Sequence, residues 1–130
     1  MSLFKYLDTL TPKVYILQLG TLVLAKVGFT KKDIKKRIKE YKFSGQWTGM
    51  EGDIRLHAVF TTPTAETVED LTKAILDRDK IMKANDKNLG NGYTEWYRCS
   101  PNKIQSAVAV AIQYLHQQEE DRLRRKWSKE

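Results

Sequence analysis

The chain has 130 residues, of which 41% are hydrophobic and 30% charged, with 23 Lys+Arg against 16 Asp+Glu and one Cys. That length suits one domain over residues 1–130 with its own core, and the lone Cys99 excludes an intramolecular disulfide framework, which fits a reducing cytoplasm. No apolar run reaches the roughly 20 residues that span a bilayer, Met1–Asp8 lacks the apolar stretch and cleavage site of a signal peptide, and the formal charge of +7 points to a polyanion or to a basic, solubilising surface.

In chain order, Lys13–Leu19 is rich in β-branched and aromatic residues and reads as a strand. Gly20-Thr21 turns the chain, and Leu22–Phe29 returns to complete a hairpin. Thr30-Lys-Lys-Asp33 resembles a capping box, opening a helix that runs to about Tyr41. Lys42–Asp53 carries three glycines and reads as loop, and Ile54–Thr61 alternates as a third strand. Pro63 sits where a second helix begins, spanning Ala65 to about Ala84. Asn85–Gly92 is turn-rich, Tyr93–Cys99 is short and extended, and Pro101 opens a long last helix. The order ββ-α-β-α-β-α predicts a small α/β (α+β) domain around a short sheet of three to four strands, with residues 117–130 as a charged helical tail.

Charge is concentrated between Lys31 and Lys42, where seven cations face only Asp33 and Glu40. In the first helix Ile34, Arg37, Ile38 and Tyr41 share one face. The spacing therefore turns Arg37 toward the sheet while Lys31, Lys32, Lys35, Lys36 and Lys39 face outward. A half-buried Arg needs a carboxylate of its own fold or a ligand phosphate; the alternative is an Arg whose stem is buried and whose head reaches water. The second helix has a stripe of Val68, Leu71, Thr72, Ile75 and Leu76, with Glu69 on its flank and Glu66 and Asp70 further out. A turn centred on Gly20-Thr21 makes Tyr15 and Lys26 close neighbours across the hairpin. Lys26 within an apolar strand is either on a solvated face or a buried cation beside Tyr15.

These features resemble the GIY-YIG nuclease superfamily, in particular its compact phage-type branch, over about Pro12 to Ile112. Lys13-Val14-Tyr15 stands at the first motif with its Tyr retained. Lys26-Val27-Gly28 stands at the second, with Lys in place of the Tyr. Arg37 and Tyr41 match the following helix, Glu69 matches the Glu of the next one, and Gly92-Tyr-Thr-Glu95-Trp96-Tyr97-Arg98 resembles the closing Glu-Trp-Phe signature. In the phage-type branch the helix usually shows Glu-x-x-Leu-His, whereas here Thr72 and Lys73 follow Glu69.

The resemblance implies a metal-dependent DNA endonuclease. Tyr15 would be the general base, its pKa lowered by Lys26. Arg37 would grip the scissile phosphate, Tyr41 would orient water or a phosphate oxygen, and Glu69, with Glu95 in reserve, would hold one Mg²⁺ or Mn²⁺. The outer lysines would supply backbone affinity for DNA. A phage-type member would act in the host cytoplasm. A chain this short leaves little room for a targeting domain, so a protein partner or a homodimer through the helical tail enters the expectation. The competing reading is a module that binds nucleic acid or protein without cutting. A protein-interaction adaptor would rest on Trp47, Trp96 and Trp127, with Trp96 better read as core. His57 and His116 lack metal-ligand spacing, and Cys99 reads as a buried small residue.

Overall fold

The computed structural model describes residues 11–90 and 92–128; the reading of Met1–Asp8 and the last two residues of the tail lie outside this range. The strands are β1 (Lys13–Leu19), β2 (Ala25–Thr30), β3 (Ile54–Thr61) and β4 (Trp96–Tyr97), and the helices are α1 (Ile34–Lys39), α2 (Ala65–Arg78) and α3 (Pro101–Ser128). They form one four-stranded antiparallel sheet in the order β3-β1-β2-β4. The expected α+β class and element order are what the chain adopts.

Strand alternation sends the residues of β1 to two faces. Val14 and Ile16, with Ala25 and Val27 of β2, pack against Val68 and Leu76 of α2 and Ile104, Val108 and Ala111 of α3. Tyr15, Leu17 and Leu19 pack on the opposite face with Ile34, Tyr41, Phe43, Leu89 and Trp96. The site is built on this second, more aromatic face.

Several boundaries differ from expectation, each for a local reason. The hairpin turn is longer than Gly20-Thr21: Leu22 and Val23 are exposed, Leu24 is buried, and β2 begins only at Ala25. The register therefore moves by two residues, placing Tyr15 opposite Gly28 and Leu17 opposite Lys26. Because the shift is even, Tyr15 and Lys26 remain on one face, as diagonal neighbours. Helix α1 has only six residues. Its N-cap is Asp33, whose carboxylate accepts the Lys35 amide, while Thr30 Oγ1 accepts from the Lys32 amide outside the helix, so the box centred on Thr30 does not form. Helix α2 stops at Arg78 rather than near Ala84. Lys80 turns left-handed at φ 57°, its amide donates to Asp77 O, and the Ile81 amide donates to Leu76 O. This is a Schellman stop built without glycine. By contrast α3 continues through the charged tail to Ser128.

Candidate functional site

Tyr15 is buried in the middle of β1, and Gly28 lies opposite it. A Cβ at Gly28 would stand 2.5 Å from the Tyr15 hydroxyl oxygen and 2.6 Å from Cζ. The missing side chain is what lets the phenol lie across β2. Lys26, one ladder step away, is also buried, so the sequence alternative of a solvated Lys26 is excluded. Its Nζ donates to Glu95 Oε2 at 2.5 Å and stands 4.9 Å from the centroid of the Tyr41 ring. Gly92, left-handed at φ 78°, passes over this pair: a Cβ there would meet Lys26 Nζ at 2.9 Å and Glu95 Oε2 at 3.0 Å.

Tyr41 lies just beyond α1, where the Tyr41 amide donates to Ile38 O in a tight last turn. Its ring is set by edge contacts with Trp96 and Phe43, at centroid distances of 6.2 and 6.3 Å. The Tyr41 hydroxyl is buried without meeting hydrogen-bond geometry with any described group, although Tyr15 and Arg37 both act on it electrostatically. Arg37 stands on the rim with its side chain 49% exposed, and this half-buried Arg has a carboxylate of its own fold, its Nη1 donating to Glu40 Oε2 at 3.0 Å. The stem follows the face of Ile34 and Ile38, but it is long enough to carry the guanidinium to water. From there it faces the Tyr15 hydroxyl, an interaction that favours the charged form of the Arg.

Lys26, Arg37, Glu40, Tyr41, Gly92 and Glu95 line one cleft of about 260 Å³. Arg37 and Glu40 also border a neighbouring groove with Lys31, Lys32 and Lys36. The lysines of α1 and its approach (Lys31, Lys32, Lys35, Lys36 and Lys39) are exposed as expected. A positively charged surface thus leads to the cleft.

The phenol of Tyr15 does not behave as the sequence reading expected. Burial, reinforced by Tyr41, pushes its pKa up to about 12, outweighing the lowering by Lys26 and Arg37. The Lys26 charge is spent on Glu95 (Lys26 side chain 2% exposed), so it compensates a carboxylate before it can stabilise a phenolate. Tyr41 is likewise pushed up to about 12 by burial.

Glu69 is more enclosed than a helix flank suggests, and it does not line the cleft. It joins the other residues through Lys73, one turn on in α2, whose Nζ donates to Glu69 Oε1 at 2.6 Å and to Glu95 Oε1 at 3.1 Å. Burial raises the Glu69 pKa against the lowering by Lys73, whereas Lys26 and Lys73 hold the Glu95 carboxyl below its usual range against the cost of burial. Glu69 and Glu95 are the carboxylates that a divalent ion would find, and the Lys73 ammonium already sits between them. Among the described residues no group of three or more His, Cys, Asp or Glu stands together. As arranged, these residues do not fit a divalent ion unless Lys73 is displaced.

The T5orf172 domain model matches residues 13–112. The chain belongs to the T5orf172 domain family. No curated protein and no solved structure matches it. The matched span of this T5orf172 domain holds Tyr15, Lys26, Arg37, Tyr41, Glu69, Lys73 and Glu95, and it ends within α3 before the charged tail.

Sequence reasoning missed Lys73 and Gly92 and held Glu95 only in reserve. The Glu69–Lys73 spacing of i,i+4 was a legible ion-pair signal, and the left-handed Gly92 precedes the Thr94-Glu95-Trp96 signature. His57 Nε2 pairs with Gln105 Oε1 at 2.8 Å, and Cys99 is a buried thiol pushed up to about 11 by burial, in keeping with their structural readings. Trp96 is core, Trp47 Nε1 donates to Asp86 Oδ2 at 2.7 Å, and Trp127 is exposed. No helix among the described residues is long and apolar enough to cross a membrane.

Proposed function

We propose that this T5orf172 domain is a nucleic-acid-acting module of the GIY-YIG type that hydrolyses DNA phosphodiester bonds at the Lys26–Arg37–Tyr41 cleft, with Tyr15 buried behind it next to Arg37. The observation that carries the reading is the rim Arg37 directed at the Tyr15 hydroxyl, beside a cleft that shares Arg37 and Glu40 with a lysine-lined groove. The motif order supports it, as does membership of a family associated with nuclease-like folds.

The residues divide the chemistry as follows. A phosphate entering from the groove exchanges Glu40 for its own oxygens on Arg37. The Arg37–Glu40 pair is exposed, and such pairs contribute at most about 1 kcal/mol, so the exchange is cheap. Arg37 stabilises charge growing on the non-bridging oxygens, and the Tyr15 phenolate, beside Arg37, takes the proton of the attacking water as its oxygen bonds to phosphorus, the bridging P–O bond breaks and the leaving oxygen takes a proton from solvent. With its pKa near 12, Tyr15 is rarely a phenolate at neutral pH, which makes this a slow enzyme whose rate rises with pH. Lys26 and Glu95 hold the cleft's floor and charge. No step is assigned to a divalent ion, because its carboxylates are already taken by Lys73.

The test is incubation of the purified protein with supercoiled, linear, branched and modified DNA, with Mg²⁺, with Mn²⁺ and with a chelator. Nicked or linear product is expected, lost in Tyr15→Phe and Arg37→Ala proteins that keep the wild-type circular dichroism spectrum. DNA left intact under every condition overturns hydrolysis. A second reading, binding without cutting, draws on the raised Tyr15 pKa and the lysine-bound carboxylates; a gel shift without any product assigns it.

A further inference from the structure

Two carboxylates from distant parts of the chain, Glu69 in α2 and Glu95 before β4, point at one ammonium. The Lys73 nitrogen lies 2.6 Å from one and 3.1 Å from the other, and the second oxygen of Glu95 is held by Lys26. Two of the three Lys73 protons are thereby used in charge-assisted bonds. The cluster is electrically closed, with two ammonium groups balancing two carboxylates. A divalent ion placed against the same oxygens would bring two further charges beside Lys26 and Lys73, and that repulsion opposes binding.

We propose that the Lys73 ammonium is the resident cation of this site, occupying the place between Glu69 and Glu95 that a divalent ion would otherwise take. Lys73 is a positioning residue. It holds Glu95, Glu95 holds Lys26, and Lys26 lies against the Tyr41 ring, so the cleft keeps its shape and charge with no metal bound. The site thus carries its own counter-ion in the covalent chain, and the Thr72-Lys73 departure noted in the sequence acquires a purpose.

The test contains no DNA, so it stands apart from the hydrolytic reading. Mn²⁺ is titrated into the protein and free ion is followed by electron paramagnetic resonance. The wild type is expected to show no saturable binding that depends on Glu69. Lys73→Met should gain affinity for Mn²⁺ by about tenfold or more, since one repelling charge is gone. The Lys73→Met/Glu69→Gln double variant should lose that gain, and Lys73→Arg should keep the wild-type behaviour. Saturable wild-type binding that disappears in Glu69→Gln overturns the proposal, and so does a folded Lys73→Met protein that gains nothing. Should Lys73→Met fail to fold, the wild-type and Glu69→Gln titrations alone decide.

Discussion

The molecule carries two sets of ion pairs with the same chemistry and different surroundings. At the cleft and behind it, Lys26, Glu95, Lys73 and Glu69 join residues from β2, the turn before β4, and α2, with side chains 2–31% exposed. On the tail of α3, Glu119–Arg122, His116–Glu120 and the contacts of Arg124 link neighbours on one helix, with side chains 46–75% exposed. The Glu119–Arg122 bond is as short as Lys73–Glu69, both 2.6 Å. Distance therefore does not separate the two sets; solvent does. Lys26 and Glu69 have lost nearly all their water while Lys73 and Glu95 keep 25% and 31% exposure, so removing a carboxylate strands Lys26 above all. On the tail, water replaces a lost partner at little cost.

The sharpest way to break this contrast is Glu95→Gln, which leaves the Lys26 ammonium without its carboxylate. We expect a loss of about 3 kcal/mol in urea unfolding. A loss near zero would mean that water reaches Lys26 and that the cleft set is no different from the tail. The same variant should flatten the acid limb of stability. The depressed Glu95 pKa contributes stability that is present above its unfolded value of 4.5 and lost as pH falls through the folded value. Glu69, raised by burial, contributes with the opposite sign, favouring the fold below 4.5 and losing that contribution as pH rises through its folded pKa. The net acid limb in the wild type is thus shallower than Glu95 alone would give, and thermal melts between pH 3 and 6 (about the carboxylate range) read the difference.

The proposed cleavage sharpens the comparison from the functional side. If the Tyr15 phenolate is the reactive form, the rate should climb about tenfold per pH unit from neutrality toward its pKa of about 12, measured over the range in which the fold persists. A flat profile would reassign Tyr15 to hydrogen-bond donation. A smaller effect is expected from Lys36→Ala, whose side chain borders the groove. It should weaken DNA binding across sequences alike and reduce the salt slope by about one phosphate contact. The smallest is Arg122→Ala on the tail, which should leave the urea unfolding midpoint unchanged although it removes a 2.6 Å pair.

The contrast also explains what could be read before the fold was known. β-branched and aromatic composition located β1, and period-two alternation located β3, to the residue. Tyr15, Arg37 and Tyr41 were legible because motif order and helical spacing are local properties. Helical phase also gave the direction of the half-buried Arg37 stem, while the rim position of its head follows from the reach of a long side chain. The end of α2 was missed because its stop signal is Lys80 in a conformation usually left to glycine. Above all, the Lys26–Glu95–Lys73 link joins positions up to 69 residues apart; no periodicity connects them, and only packing does.

Gly28 and Lys26 together proofread the alignment of the first hairpin. A slip of one residue between β1 and β2 would turn Lys26 into the apolar layer beneath α2 and α3, far from any carboxylate that could neutralise it. A slip of two would keep the faces but set the Tyr15 phenol opposite Lys26, where a Cβ stands, instead of over the bare backbone of Gly28. The same two side-chain choices that shape the cleft therefore reject both nearest mispairings of the strands that carry it.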